Sequence, residues 1–156
     1  NSYEHDEYGF GSAGEPADMR AAQNEKRMAK LELARSIVPP PATFGAKPDE
    51  ADVAVLFFGT TKGPVLEAMR WLEPDGVKVA AMQVVTLWPF PADEVGAFLG
   101  AGKRTVIIEG NYTGQLQGLV REQCLRDVDH TLRRYDGRPF SPEQVYAKLK
   151  EVAENA

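Results

Sequence analysis

The segment RTVIIEGNYTGQL, residues 104–116, carries the strongest indication of the fold. Its β-branched run TVII, residues 105–108, is typical of a strand buried on both faces. Glu109 lies where that strand should end, and a polar cluster, residues 111–114, separates it from apolar residues at helical spacing. A strand, a polar turn and a helix in this order indicate a parallel α/β unit, in which ligands or partners are usually met at this crossing.

The same alternation runs through most of the chain. Strands are predicted at residues 53–58, 77–85, 104–108 and 131–135, and a helical pattern follows each of them. The last helix is predicted to open at Ser141-Pro142, a capping residue followed by a proline in the first turn. Strands alternating with helices predict a three-layer α/β/α fold around a mostly parallel sheet.

The first third of the chain has a different character. Residues 1–16 show no periodicity and are predicted to be loop, and residues 17–38 have a helical pattern with a narrow apolar stripe, typical of a surface helix. Three prolines, 39–41, end that pattern and open a stiff linker. We therefore expect an N-terminal loop, helix and linker over residues 1–49, followed by an α/β domain over residues 50–156.

Composition narrows the classes of protein. The 156 residues carry a net charge of −5 with a pI near 5.1, which argues against a nucleic-acid partner. No apolar run approaches the roughly 20 residues of a membrane span. The single Cys124 excludes a disulfide framework and a self-contained cysteine-ligated iron–sulfur cluster. With no signal-peptide pattern after Asn1, we expect a cytoplasmic domain cut from a longer polypeptide.

A glycine-rich turn after the first strand of the α/β domain is the first candidate site. Backbone N–H groups, two hydroxyls and an ammonium there could hold a phosphate or a carboxylate, which makes candidates of Thr60, Thr61, Lys62 and Gly63. The turn matches neither GxxxxGK[ST] nor GxGxxG. The alternative is a tight turn in which Thr60 or Thr61 caps the next helix.

The turn after residues 104–108 is the second candidate. Its members, predicted to form either an interface or a hydrogen-bonded cap, are Glu109, Asn111, Tyr112 and Thr113. Parallel strands end on one side of a sheet, so neighbouring strands would place turns 59–63 and 109–114 side by side as a contact surface. Tyr112 is of a residue type enriched in tight interfaces.

Other reactive residues form no recognisable catalytic set. His5 lies among the acids of EHDE, residues 4–7, where a general-base or metal role competes with a solvated or salt-bridged imidazole. Cys124 is predicted to be a buried packing residue. Without a Ser/His/Asp set, paired carboxylates or a metal cluster, we predict no catalytic residue and no metal ligand.

Several longer stretches occur together and carry a resemblance. They are EHDEYGF (4–10), EKRMAKLELA (25–34), GTTKGPVLEAM (59–69), LWPFPADEV (87–95), IIEGNYTGQL (107–116) and YDGRPFSPEQV (135–145). In this order they resemble the C-terminal part of the α subunit of a 2-oxoacid:ferredoxin oxidoreductase of the 2-oxoglutarate type. The resemblance covers essentially the whole chain, and WPFP and EGNYTGQL are its most specific parts.

The resemblance implies a fold and a role. The fold would be that of the transketolase C-terminal domain, preceded by a domain that binds the aminopyrimidine of thiamine diphosphate. The intact enzyme would decarboxylate a 2-oxoacid oxidatively to acyl-coenzyme A and reduce ferredoxin, using thiamine diphosphate, magnesium, an iron–sulfur cluster and coenzyme A, with a β subunit as partner.

The thiamine signature GDG followed by Asn is missing from the chain. Only PDG (74–76) and YDG (135–137) occur. We therefore expect this fragment to bind none of these cofactors and to serve as an inactive scaffold or assembly domain. At the turn 59–63 the phosphates of coenzyme A are the alternative to a subunit or domain contact. The alternative is a free-standing flavodoxin-like interaction or small-ligand-binding domain.

Overall fold

The computed structural model describes residues 4–11 and 16–155 of the chain. Contacts within the chain group these residues into two compact units, residues 1–38 and residues 39–156. None of the helices in the described ranges is long and apolar enough to cross a lipid bilayer.

The described part of the first unit contains a tight turn and the helix α1 (Ala17–Arg35). In the turn, the Asp6 carboxylate accepts hydrogen bonds from the backbone N–H groups of Tyr8 at 3.0 Å and Phe10 at 2.9 Å. Glu4 forms an ion pair with Arg27 of α1. The predicted helix is therefore present and ends three residues before the expected Val38, and the described part of the loop has a hydrogen-bonded turn.

The second unit is a five-stranded sheet with helices on both faces. Its strands are β1 (Ala42–Gly45), β2 (Val53–Phe58), β3 (Val79–Val84), β4 (Thr105–Glu109) and β5 (His130–Arg133). Its helices are α2 (Lys62–Leu72), α3 (Ala92–Ala101), α4 (Gln115–Cys124) and α5 (Pro142–Glu154). The strand order is β1-β3-β2-β4-β5, and every neighbouring pair is parallel except the antiparallel pair β1 and β3. The predicted three-layer, mostly parallel α/β fold is confirmed.

Strand β1 corrects the prediction of a linker over residues 39–49. Residues 42–45 pair with β3 from Ala42 opposite Gln83 to Gly45 opposite Ala80, so this stretch forms an edge of the sheet. The preceding prolines lack N–H groups but do not prevent the residues after them from pairing. Gly45 has a φ of +76°, and a Cβ there would lie 2.3 Å from the Val79 carbonyl oxygen. Glycine therefore lets the end of β1 lie against β3.

The two faces of the central strands form separate apolar layers. Alternate residues of β2, such as Val55 and Phe57, pack with α2 and α5, while Ala54 and Leu56 face α3 and α4. All four of these side chains are fully buried. A strand covered on both faces needs apolar residues at every position, which explains why β2 and β4 read as continuous apolar runs rather than alternating ones.

The last helix has the expected capping chemistry. The Ser141 hydroxyl accepts a hydrogen bond from the Gln144 backbone N–H, and the Gln144 side chain accepts one from the Ser141 N–H, a reciprocal capping box. Pro142 occupies the first turn. The buried side chains of this helix pack on the same face of the sheet as α2.

Candidate functional site

The carboxyl ends of β2 and β4 lie next to each other. The two strands are parallel neighbours, with Phe57 opposite Ile108, so the turns that follow them emerge at the same edge of the sheet. This adjacency was predicted from the sequence and is confirmed. Between the turns lies a cavity of about 550 Å³, here called the strand-end cavity. It is lined by Thr60, Thr61, Gly110, Arg134, Tyr135, Gly137, Arg138, Pro139 and Phe140.

Thr60 and Thr61 reach the cavity through a short 3-10 turn, Gly59–Thr61, which continues directly into α2. The turn starts at Gly59 with a φ of +60°, a conformation that favours glycine. Thr61 takes a helical φ of −63° and its side chain makes no capping hydrogen bond. The alternative in which Thr61 caps α2 is therefore wrong, because a capping residue adopts an extended backbone.

Thr61 lines the cavity with its hydroxyl unused. The residue is only 7% exposed, and its hydroxyl makes no hydrogen bond to the described residues. Because no buried side-chain nitrogen or oxygen among them lacks a partner, this hydroxyl is open to solvent in the cavity. Thr60 beside it is exposed and lines the same cavity. Two hydroxyl groups are thus available at the end of β2.

Lys62 and Gly63 are not brought to the cavity with the two threonines. The Lys62 ammonium lies over the ring of Phe44, 5.1 Å from its centroid, and the expectation that it supplies a charge beside Thr61 is not supported by this placement. A Cβ on Gly63 would meet nothing within 4 Å, so no close approach requires glycine there. The predicted group of four residues is divided between two sides of the turn.

The positive charge at the cavity comes instead from the loop after β5. Both carboxylate oxygens of Asp136 bind the Arg134 guanidinium, at 2.7 Å and 2.9 Å. The hydrogen bonds from Arg134 and the Arg138 backbone N–H lower the pKa of Asp136 to about 2, and Asp136 in turn raises the pKa of Arg134. Asp136 and Arg134 together add no net charge.

Arg138 is the remaining cation of that loop. Within residues 4–11 and 16–155, its guanidinium forms no ion pair, and the residue is exposed at the cavity. Sequence reasoning missed Arg138, although it lies in the stretch YDGRPF, residues 135–140. The signal was the pairing of Asp136 with Gly137, a turn-forming dipeptide that turns the chain just before an arginine.

Glu109 at the end of β4 is completely buried. Its carboxylate accepts hydrogen bonds from the backbone N–H groups of Leu116 at 2.7 Å and Gln117 at 3.3 Å, both in the first turn of α4, and from Asn111 Nδ2 at 2.7 Å. Of the two alternatives for Glu109, the hydrogen-bonded cap is the one observed. A side chain this buried supports the turn and offers no surface to a partner.

Asn111 completes that cap. Its Oδ1 atom accepts hydrogen bonds from the backbone N–H groups of Gly114 at 2.8 Å and Gln115 at 3.0 Å, an Asx-type arrangement at the start of a helix. Gly114 has a φ of +75°, and a Cβ there would lie 2.6 Å from an Arg133 guanidinium nitrogen. Asn111 and Gly114 therefore fix the path of the turn.

Tyr112 and Thr113 project from the fixed turn. Tyr112 is 70% exposed, and its ring meets that of Tyr135 edge to face, with centroids 4.8 Å apart and planes at 83°. Tyr135 is 66% exposed, and Thr113 is exposed as well. The turns after β4 and β5 thus present a paired aromatic surface, here called the Tyr112–Tyr135 pair.

The other sequence candidates have structural roles. The His5 ring forms a hydrogen bond with the Asp6 carbonyl oxygen at 2.7 Å. Its neighbour Glu4 forms an ion pair with Arg27, so this cluster is a salt-bridged turn. Cys124 is half-buried and donates to the Ala92 carbonyl oxygen at 3.4 Å, and burial raises the pKa of its thiol. No group of three or more His, Cys, Asp or Glu side chains in the described ranges is arranged to hold a metal ion.

A second cavity, of about 620 Å³, lies between α2, the end of β1 and the start of β3. Phe44, Met69 and Val77 supply apolar lining, and Arg70, Glu73 and Lys78 lie at its margin. It lies at the beginning of β3, away from the ends of the parallel strands. None of the candidate residues predicted from the sequence lines it.

Comparison with known proteins identifies the family. Residues 51–145 match the family model of the pyruvate:ferredoxin oxidoreductase core domain II. A curated relative, 2-oxoacid:ferredoxin oxidoreductase 2, subunit alpha, of Aeropyrum pernix is 34% identical over 97% of the chain. The 2-oxoacid:ferredoxin oxidoreductase subunit alpha of Saccharolobus solfataricus is 30% identical over 97% of the chain. The chain spans 23% and 24% of the lengths of these two relatives.

Solved structures agree with that match. The 2-oxoglutarate:ferredoxin oxidoreductase of Magnetococcus marinus, solved with 2-oxoglutarate, coenzyme A and succinyl-CoA bound, has a TM-score of 0.84 and 29% identity over 99% of this chain and 26% of its own. A split-gene transketolase, at 15% identity and a TM-score of 0.58, covers 73% of this chain and 41% of its own and shares the fold alone. The chain belongs to the family of the pyruvate:ferredoxin oxidoreductase core domain II.

Proposed function

We propose that this chain is a domain of the α subunit of a thiamine-diphosphate-dependent 2-oxoacid:ferredoxin oxidoreductase. The observation that carries the proposal is the likeness to the Magnetococcus marinus enzyme, which extends over 99% of the chain. The α-subunit relatives match over nearly the same length and include the turn and helix of the first unit. The intact enzyme would convert a 2-oxoacid and coenzyme A oxidatively to acyl-coenzyme A and carbon dioxide, and would pass the electrons to ferredoxin.

Within that enzyme the domain serves assembly. The Tyr112–Tyr135 pair lies exposed on a turn that Glu109 and Asn111 hold from within. Large, amphipathic side chains on a rigid base lose little conformational entropy on association, which is why tyrosine is common at the centres of interfaces. The partners are the thiamine-binding domain of the same subunit and the β subunit, with Tyr112 and Thr113 at the contact.

The described residues do not fit the redox and thiamine cofactors of such an enzyme. Magnesium bound to a diphosphate needs carboxylate, carbonyl and amide oxygens in a near-octahedral set, and no carboxylate lines the strand-end cavity. An iron–sulfur cluster needs several thiolates, and the chain has one cysteine, whose thiol donates a hydrogen bond to a backbone carbonyl. We therefore assign cofactor binding to the other parts of the enzyme and expect the isolated chain to be inactive.

For the substrate we propose 2-oxoglutarate. Support comes from the Magnetococcus marinus structure and from a 27% identical relative, the 2-oxoglutarate synthase subunit KorA of Methanothermobacter marburgensis, which matches over 65% of the chain. A ketoisovalerate oxidoreductase subunit VorB of Methanothermobacter thermautotrophicus is 26% identical over 67% of the chain. The choice of 2-oxoglutarate therefore rests on the ligands bound in the Magnetococcus marinus structure, which resembles this chain over a greater length than the ketoisovalerate oxidoreductase subunit does.

The experiment is an assay of the intact enzyme that contains this chain. Reduction of ferredoxin is followed with 2-oxoglutarate, pyruvate or 2-oxoisovalerate, each with and without coenzyme A. We expect reduction that requires coenzyme A and has its highest kcat/KM for 2-oxoglutarate. A preference for another 2-oxoacid would refute the substrate assignment alone, whereas no reduction with any of the three acids would refute the enzyme class.

A further inference from the structure

We propose that the strand-end cavity is a binding site for the phosphate group of a small molecule. Thr60 and Thr61 of the turn after β2 and Arg138 of the loop after β5 line the cavity, and their two hydroxyls and guanidinium would bind the phosphate. This inference rests on the geometry of the chain and not on the proposed enzyme.

Thr61 is the first reason. A hydroxyl that reaches water can exchange that water for an oxygen of a ligand with little loss of hydrogen bonding. The Thr61 hydroxyl makes no hydrogen bond to the described residues, and no buried side-chain nitrogen or oxygen among them lacks a partner, so this hydroxyl is open to the cavity that the residue lines. Its hydroxyl is therefore available to a group that enters the cavity.

The charge of the cavity is the second reason. Asp136 is engaged at both oxygens by Arg134, and Arg134 also donates to the Gln144 side chain at 2.5 Å. Arg138 also lines the cavity, and in the described ranges its guanidinium has no ion-pair partner. None of the described residues that line the cavity is acidic, so the local field favours an anion.

The number of donors favours phosphate over carboxylate. Arginine binds oxyanions through its planar fork of N–H groups, and the turn after β2 adds two hydroxyl groups. A phosphate presents three terminal oxygens to such a set, whereas a carboxylate has only two oxygens in one plane. The volume of about 550 Å³ exceeds that of a single phosphate group and lies in the range of small-molecule sites.

The loop that carries Arg138 is held in place. Arg134 ties it to Asp136 within the loop and to Gln144 at the start of α5, and Gly137 makes the turn with a φ of +78°. Phe140 at the end of the loop is buried. Because the backbone of this loop is anchored at both ends, it needs little reorganisation to receive a ligand.

The test is a titration of the 156-residue chain with inorganic phosphate, followed by backbone amide chemical shifts. We expect saturable shifts at Thr60, Thr61, Gly110 and Gly137. Arg138→Gln and Thr61→Val should each raise the apparent Kd by about tenfold, which is the loss of affinity expected when a hydrogen bond to a charged group is removed. Thr61→Ser keeps the hydroxyl and should retain binding.

Two controls keep the result specific. Arg126→Gln removes a positive charge from the exposed segment before β5, at the other end of the sheet, and should leave the Kd unchanged. Acetate at equal concentration should bind at least tenfold more weakly than phosphate, about the difference of one hydrogen bond to a charged group. Absence of saturable phosphate binding, equal binding of acetate, or an equal loss in Arg126→Gln would each overturn the proposal. If Thr61→Val does not fold, the phosphate Kd of Arg138→Gln compared with that of Arg126→Gln decides whether the proposal holds.

Discussion

The Oε2 atom of Glu109 lies 2.7 Å from the backbone nitrogen of Leu116, although the Glu109 side chain is completely buried. A carboxylate can be buried at this position because α4 begins there and its first N–H groups have no partners within the helix. Strand β4 thus ends on the acceptor that starts the next helix, and the turn between them is fixed at both ends.

Glu109→Gln is expected to destabilise the second unit by about 1–3 kcal/mol, because an uncharged amide accepts the helix N–H groups with one oxygen only and buries an extra donor. Urea unfolding followed by circular dichroism measures the change. Glu122→Gln is the matched control, since Glu122 is an exposed residue of α4, and it should change the free energy of unfolding by less than about 0.5 kcal/mol. Equal effects of the two substitutions would contradict the capping role of Glu109.

Two glycines of the same region should respond to alanine in opposite directions. Gly114 has a φ of +75° and no room for a Cβ beside Arg133, so Gly114→Ala should cost about 1–2 kcal/mol or more. Gly118 lies within α4 with nothing within 4 Å of a Cβ, so Gly118→Ala should stabilise by about 0.5–1 kcal/mol. Thermal unfolding of both variants measures the signs. Stabilisation by Gly114→Ala would show that the turn takes another path.

Acid should lower the free energy of unfolding through Asp127, which follows the C-terminal end of α4. Hydrogen bonds from Arg121, from the Gln117 side chain and from the Val128 N–H lower the pKa of Asp127 from 3.8 to about 2. In the unfolded chain the carboxyl takes up its proton near its ordinary pKa, so between these two values the unfolded state binds more protons. The stabilisation is therefore complete above about pH 4 and is lost as the pH falls towards 2.

Urea unfolding between pH 5 and pH 2.5 tests this, with the range set by the usual carboxyl pKa of about 4. The free energy of unfolding should fall more steeply with acid in the unaltered chain than in Asp127→Asn. Asp49→Asn, which alters an exposed carboxylate without a hydrogen bond among the described residues, should keep the original slope. If Asp127→Asn also keeps it, the hydrogen bonds of Asp127 contribute nothing to the acid response.

Removal of residues 1–38 should leave the melting temperature of the second unit nearly unchanged. We propose that helix α1, with its narrow apolar stripe, packs against another domain or subunit of the enzyme, so that the fold of residues 39–156 does not depend on it. Removal of residues 1–48 also deletes β1, exposes the edge of β3 and should lower the melting temperature. Equal melting temperatures of the two truncated chains, or a large loss in the shorter deletion, would argue against this division.

The alternation of strands and helices along the chain predicted the parallel sheet. Its central strands were recognisable because both of their faces are covered, so that they have apolar residues at every position, as in Val53–Phe58. Strand β1 was missed because the four residues 42–45, which alternate between half-buried and exposed directly after a proline run, have almost no local signal. Its pairing depends on β3, nearly forty residues further along the chain. The adjacency of turns 59–63 and 109–114 was predictable from strand polarity once β2 and β4 were neighbours.

The side-chain roles were less accessible from sequence. Lys62 and Thr61 are consecutive, yet one lies over Phe44 and the other lines the strand-end cavity, because successive residues of a helical turn point in different directions. Arg138 comes to the cavity from a loop more than seventy residues away. A local motif cannot reveal such a site, since the fold alone brings its parts together.

Native mass spectrometry of the protein purified with its partners tests the assembly role of the Tyr112–Tyr135 pair most directly. We expect the subunit that contains this chain to be bound to a second, cysteine-rich β subunit. The double substitution Tyr112→Ala/Tyr135→Ala should weaken that complex by more than about tenfold, the effect of losing an interface hot spot. Leu125→Ala, which removes an exposed apolar side chain at the other end of α4, should leave it intact. A complex unaffected by the double substitution, or a protein found without any second subunit, would contradict this role.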